Sequence, residues 1–183
     1  MRLFERSDTS YALLTKSKKS FSSLFIFSMN LFGWVMMEEG VCMFCQIVAK
    51  RVPAYIVYEN EYSLSFLDIR PASIGHTLLV PRKHFEKLVD VPSTIIKELA
   101  ISLQTVSACI VEAVNADGLN VLQNNGRAAG QVIPHVHFHL IPRFNEDGLH
   151  LGAFREVPRD DKLMKQVYER IRSCVLLRKS NTI

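Results

Sequence analysis

Cysteine is scarce. The four in these 183 residues do not make the dense set of a disulfide-stapled secreted domain. Cys42 and Cys45 form one C-x-x-C pair, while Cys109 and Cys174 each stand singly within a helical pattern, where a cysteine is expected to act as a small buried hydrophobe. The C-x-x-C pair points instead to metal or redox chemistry in a reducing compartment. An excess of one charge is missing too. The net charge is +4, but residues 1–36 hold Arg2, Arg6, Lys16, Lys18 and Lys19 against only Glu5 and Asp8. What remains is close to neutral, which does not describe a nucleic-acid-binding surface. The apolar stretch Leu24 to Met37 is broken by Ser28, Asn30 and Gly33, and its 14 residues fall short of the ~20 that a membrane helix needs. Internal repeats, low-complexity tracts and a second domain are also lacking, so the length fits one domain with a sizeable core.

Residues 1–36 are basic, serine-rich and acid-poor. That texture suits a transit peptide; as a signal peptide they lack a small-residue cleavage site. The plainer reading is an appended leader outside the fold, with a single domain over residues 37–183. From Val41 the chain reads as a compact α+β domain. A short helix is expected over Gln46 to Lys50. Strands follow at Ala54 to Glu59, Tyr62 to Asp68 and His76 to Pro81. Asp90-Val91-Pro92-Ser93 supplies a helix start, and Ile96, Leu99, Leu103, Val106, Ile110 and Val114 recur at helical spacing over Ser93 to Asn115. Leu119 to Gln123 is a fourth strand, His135 to Ile141 a fifth, and Asp160 to Leu176 a final helix. His150 reads as a surface residue.

Half of the six histidines fall in Pro134-His135-Val136-His137-Phe138-His139-Leu140-Ile141-Pro142-Arg143. Strict alternation marks a half-buried strand, with His135, His137 and His139 on one face and Val136, Phe138 and Leu140 in a core. Chance placement on a solvated face is the bland account. A three-histidine metal site is a second, and a nucleophilic histidine flanked by imidazoles that contact an anion is a third. The preceding loop, Asn124 to Gln131, is built of small and amide residues that let backbone N–H groups approach an anion.

Taken together these motifs resemble the histidine triad, or HIT, family. Beside the triad, Phe66-Leu67-Asp68-Ile69-Arg70-Pro71, Gly75-His76-Thr77-Leu78-Leu79-Val80-Pro81-Arg82-Lys83-His84 and Gly130-Gln131 match in order. The resemblance covers Cys42 to Arg143 and is greatest to the zinc-containing microbial branch. It implies an antiparallel five-stranded sheet packed with helices, a cytoplasmic homodimer, and hydrolysis or transfer of a nucleoside monophosphate through a nucleotidyl-histidine. By similarity His137 is the nucleophile, and Asn124, Gln131 and His139 surround the phosphate. Asp68 takes the ribose hydroxyls, Phe44, Phe66 and Ile69 form the base pocket, and His76 faces the site. Cys42, Cys45, His84 and His135 match ligands of a structural zinc; no organic cofactor is implied. The substrate class is a purine nucleotide such as a dinucleoside polyphosphate or an adenosine phosphoramidate. Two other classes stay open: a metallohydrolase whose triad holds a catalytic zinc, and a non-catalytic nucleotide-binding protein.

Overall fold

Apolar side chains at helical spacing dictate one long helix, and the chain forms it over Ser93–Val114. Leu99, Val106 and Ile110 are fully buried along one stripe, with Ile96, Leu103 and Val114 packed beside them. Asn115, in the left-handed conformation, ends it, a role that short polar side chains tolerate. By length and composition alone this helix would pass for a membrane span; its buried stripe makes it the central core helix.

The computed structural model describes residues 25–30, 33–38, 41–150 and 156–180. The chain divides into two units, Met1–Glu39 and Gly40–Ile183. In the first, strands β1 (Phe25–Asn30) and β2 (Gly33–Glu38) pair as an antiparallel hairpin. The described part of the apolar stretch, residues 25–30 and 33–37, is thus extended, and β2 continues past residue 36; residues 1–24, 31 and 32 lie outside the described residues.

The second unit contains α1 (Met43–Val48), β3 (Ile56–Glu59), β4 (Ser63–Leu67), β5 (Thr77–Pro81), α2 (Ser93–Val114), β6 (Gly118–Gln123), β7 (Phe138–Arg143) and α3 (Asp161–Ser180). The five strands form one antiparallel sheet in the order β3-β4-β5-β7-β6. This is the five-stranded α+β architecture that the sequence implied. Both faces are covered. On one, Val57, Leu67, Leu79 and Leu140 pack against α2 and α3; on the other, Leu64, Phe66, Leu78 and Val80 pack against Phe44 and Ile47 of α1. Every residue of β4 and β5 is therefore buried, where an antiparallel sheet covered on one side would alternate.

The fifth strand of the sequence reading was expected from His135, yet the β7 ladder begins at Phe138. Pro81, at the end of β5, has no N–H to offer, and its carbonyl is taken by the His135 ring at 3.0 Å. Val136 N–H donates instead to Phe85 O at 2.7 Å. The alternation survives because the segment stays apolar on one side: Val136 and Leu140 are fully buried in the helix-side core. His139 lies opposite Leu78 in the register, which puts it on the α1 face.

The two cysteines expected to stand singly are linked. Cys109 on α2 and Cys174 on α3 are joined as a disulfide with Cα atoms 5.5 Å apart. Each helix pattern places its cysteine on the apolar stripe, and packing the two stripes together brings the sulfurs into contact. A crosslink across 65 residues stabilises by limiting the unfolded chain, by ~4 kcal/mol on the loop-entropy relation. Protein unfolded with chelator but no reductant is expected to offer only Cys42 and Cys45 to an alkylating reagent, seen by mass. Labelling of all four cysteines would show that the bond does not form.

Candidate functional site

The three triad histidines share a face but not a partner. His135 is fully buried. Its Nε2 lies 3.0 Å from Pro81 O; a carbonyl only accepts, so Nε2 carries the proton and Nδ1 is bare. That bare nitrogen stands 3.2 Å from His84 Nδ1, 3.4 Å from Cys42 Sγ and 3.6 Å from Cys45 Sγ, and Cys45 Sγ is 3.4 Å from His84 Nδ1. All four ligand atoms lie within 4.8 Å of one another. Nitrogen and sulfur atoms placed tetrahedrally at zinc–ligand distances would stand roughly 3.3–3.8 Å apart, so the quartet fits such an ion. The two cysteines reach it because Cys42 is the N-cap of α1 and Cys45 is three residues on, on the same side of the first turn. Burial, then the neighbouring Cys42, pushes the Cys45 thiol up to about 11, a cost that a bound cation offsets by holding the thiolate.

His137 is 5% exposed, and its Nδ1 lies 2.7 Å from the carbonyl of His135. The proton is again fixed by the acceptor: Nδ1–H donates, and Nε2 keeps a free lone pair. Burial lowers its pKa, opposed by that same hydrogen bond, so the ring is neutral at neutral pH. An imidazole in this state is a nucleophile. Phe44 meets it edge-on, with ring centroids 5.2 Å apart, and Phe44 in turn packs on Phe66 at 5.6 Å. Both phenylalanines sit in the α1-side core, while Ile69 is exposed at the rim.

His139 Nδ1 faces His76 Nε2 at 3.0 Å. Burial, then the neighbouring His137, lowers His139 to about 4. His76 is brought to about 3, by burial first and then by His139 and His137. Asp68 flanks them, its Oδ2 3.7 Å from His76 Nδ1. Its other oxygen accepts the Arg70 N–H at 2.9 Å, yet burial dominates and pushes the carboxyl up to about 6. The loop that holds Asp68 and His76 is pressed inward at Gly75 (φ +87°), where a Cβ would stand 3.0 Å from Val114 Cγ1. Among the described residues no cluster of ligand atoms joins all three triad histidines: His135 belongs to one group, His139 to another with Asp68 and His76, and His137 to neither. A shared triad metal therefore has no geometry here.

The loop before the triad carries Asn124 and Gln131, both expected at the phosphate. Asn124 is half-buried and its amide has no hydrogen-bond partner among the described residues; Gly130 (φ +87°) lies against it, with room for a Cβ only 3.5 Å from Asn124 Nδ2. Gln131 is held within the loop. It is 7% exposed, its Oε1 accepts the Gly126 N–H at 2.7 Å, and its Nε2 donates to Glu86 O at 2.8 Å. Both ends of the amide thus brace the loop. Asn125, which the sequence did not single out, does the same by accepting the Leu88 N–H at 2.8 Å. Only its place in an amide-rich loop could have flagged it.

The family model described as HIT domain matches residues 49–146. An uncharacterised HIT-like protein of Methanocaldococcus jannaschii is 42% identical over 127 residues, covering 67% of this chain and 96% of that protein. The adenosine 5′-monophosphoramidase of Saccharomyces cerevisiae is 39% identical over 128 residues, covering 69% and 78%. Among solved structures, a zinc-bound histidine triad family protein from Mycobacterium smegmatis superposes with a TM-score of 0.66 at 35% identity, over 76% of this chain and 96% of that one. The match to the family model spans more than half of the sequence, and this chain belongs to the histidine triad (HIT) family.

Proposed function

We propose that the protein hydrolyses or transfers the nucleoside monophosphate of a purine nucleotide, such as an adenosine phosphoramidate or a dinucleoside polyphosphate. The observation that carries this is the bare Nε2 of His137, held by the 2.7 Å bond from Nδ1 to His135 O. Nε2 bonds to the α-phosphorus as the bond to the amine or phosphate leaving group breaks, and the leaving group departs with the electron pair of that bond and takes a proton from solvent. Water then attacks the phosphorus and loses a proton to solvent, the phosphorus–Nε2 bond breaks with its electron pair returning to Nε2, and the neutral ring is restored. In the nucleotidyl intermediate the ring is cationic, and the His135 carbonyl is placed to stabilise its Nδ1–H.

His139 and Asn124 would bind the non-bridging phosphate oxygens, with the Gln131-braced loop holding Asn124 in place. Asp68 would accept hydrogen bonds from the ribose. Ile69 would meet the base at the rim, with Phe44 and Phe66 forming the floor beneath it. Zinc at Cys42, Cys45, His84 and His135 would fix α1 to the triad segment and take no part in a chemical step; the zinc-bound relative supports that metal. The monophosphoramidase among the relatives supports the substrate class. A homodimer is proposed as well: β6 is an edge strand, paired only with β7 among the described residues, and an edge of this kind invites a second copy. The segment before Gly40, a separate unit, is proposed to stand outside the catalytic domain.

Three outcomes test the reading. His137→Ala is expected to lower turnover by ~10⁴-fold or more while leaving nucleotide affinity nearly intact, whereas His139→Ala should lose ~10²–10³ in kcat. Turnover surviving in His137→Ala would sink the mechanism. Metal analysis of purified protein should find about one zinc per chain, and Cys45→Ser should lose metal and thermal stability together; full stability without metal would remove the structural ion. The Asp68 carboxyl supplies the third. Its folded pKa of about 6 lies above the ordinary carboxyl value of 3.8. Its proton therefore stabilises the fold fully below the lower value, and that stabilisation is lost as pH rises through the higher one. The melting temperature of the wild type should accordingly fall relative to Asp68→Asn as pH is raised through that window. A difference that does not change with pH would place the carboxyl in its ordinary range.

A further inference from the structure

His76 is 4% exposed and is a titratable group to which the proposed chemistry gives no task. Its two ring nitrogens meet different partners. Nδ1 lies 3.0 Å from the backbone nitrogen of Ala72. An amide N–H only donates, so Nδ1 accepts and bears no proton. Asp68 Oδ2, at 3.7 Å from the same nitrogen, is beyond hydrogen-bond reach. A neutral imidazole with a bare Nδ1 carries its proton on Nε2, and that proton has an acceptor in His139 Nδ1 at 3.0 Å. His139 Nδ1 is then bare in its turn, which leaves the His139 proton on Nε2, the nitrogen on the ring edge away from His76. Burial keeps both rings neutral near pH 7, so each has one tautomer and not a mixture.

We infer that His76 is a positioning residue: through it the backbone N–H of Ala72 fixes His139 as the Nε2–H tautomer, a hydrogen-bond donor to the substrate phosphate. The direction of polarity is imposed from the backbone and cannot reverse, because a proton on His76 Nδ1 would face the Ala72 N–H. His76 therefore relays no proton. The same loop carries Asp68, whose N–H donates to His76 O at 3.0 Å, so one turn of chain orients both the ribose acceptor and the phosphate donor.

The role of His139 as a phosphate donor rests on the proposed function; its tautomer does not. The first experiment reads the tautomer directly. The full chain is isotope-labelled at the histidine nitrogens, loaded with zinc, and studied by long-range proton–nitrogen NMR correlation about one unit above the ordinary histidine pKa. Expected are a bare Nδ1 and a protonated Nε2 on both His76 and His139. A protonated Nδ1 on His139, or a rapidly exchanging mixture, would overturn the inference. The second reverses the polarity. His76→Glu offers His139 Nδ1 an acceptor and should draw the proton there, lowering kcat by ~10²–10³ as for a lost donor, with KM little changed. His76→Gln can still donate from its amide and should keep most of the activity and the Nε2–H tautomer. Equal losses in the two variants with an unchanged His139 tautomer would mean that His76 is only structural. A wild type that turns over no nucleotide would defeat the proposed function, while the spectrum would still decide the tautomers.

Discussion

The hydrogen bond from His137 Nδ1 to the carbonyl of His135 is the constraint from which the rest of the site follows. It uses the backbone of one histidine to orient the ring of another, and so ties the bare Nε2 of His137 to whatever holds residue 135. What holds it is substantial. The His135 ring is anchored on Pro81 O and shares its other nitrogen with two sulfurs and a second imidazole. An imidazole that donates to a carbonyl on one side is left with its lone pair on the other, the arrangement a metal ligand needs. The Cys42, Cys45, His84 and His135 quartet and the His137 ring are thus joined by one residue with two separate attachments, side chain to the first and main chain to the second.

Each imidazole of the triad has its proton assigned by a neighbour of fixed character: a carbonyl for His135, a carbonyl for His137, and an amide acting through His76 for His139. None of these neighbours is ionised. Burial keeps the rings uncharged, and backbone groups orient them, so the site is polarised without a buried salt bridge and its desolvation cost. This agrees with the near-neutral composition of the domain. An anionic substrate would be met by oriented dipoles and neutral N–H donors.

Period and spacing made much of this legible. The alternation of the triad gave the correct facing of all three histidines although two of them precede the strand, because facing depends on extended backbone and not on ladder bonds. The helical stripe of α2 was readable for the same reason, its period being set by geometry local to the chain. What stayed hidden was pairing between distant segments. Nothing local says that Cys109 meets Cys174, that the amide of Gln131 turns back to Gly126 and Glu86, or that His76 finds Ala72 on one side and His139 on the other. His84 joined the metal quartet only through the family resemblance, since a lone histidine past the end of a strand has no spacing of its own to interpret.

Helix α1 has six residues, too few to persist as a helix by its own hydrogen bonds in water. It stands where it does because Phe44 and Ile47 are sunk in the core and Cys42 and Cys45 converge on the two histidines. The element is in effect a clasp, fastened by sulfur at one edge and by aromatic packing at the other. The aromatic face that meets the His137 ring consequently belongs to a segment whose shape is borrowed from its fastenings. The state of two thiols thereby becomes part of what sets the surroundings of the His137 ring.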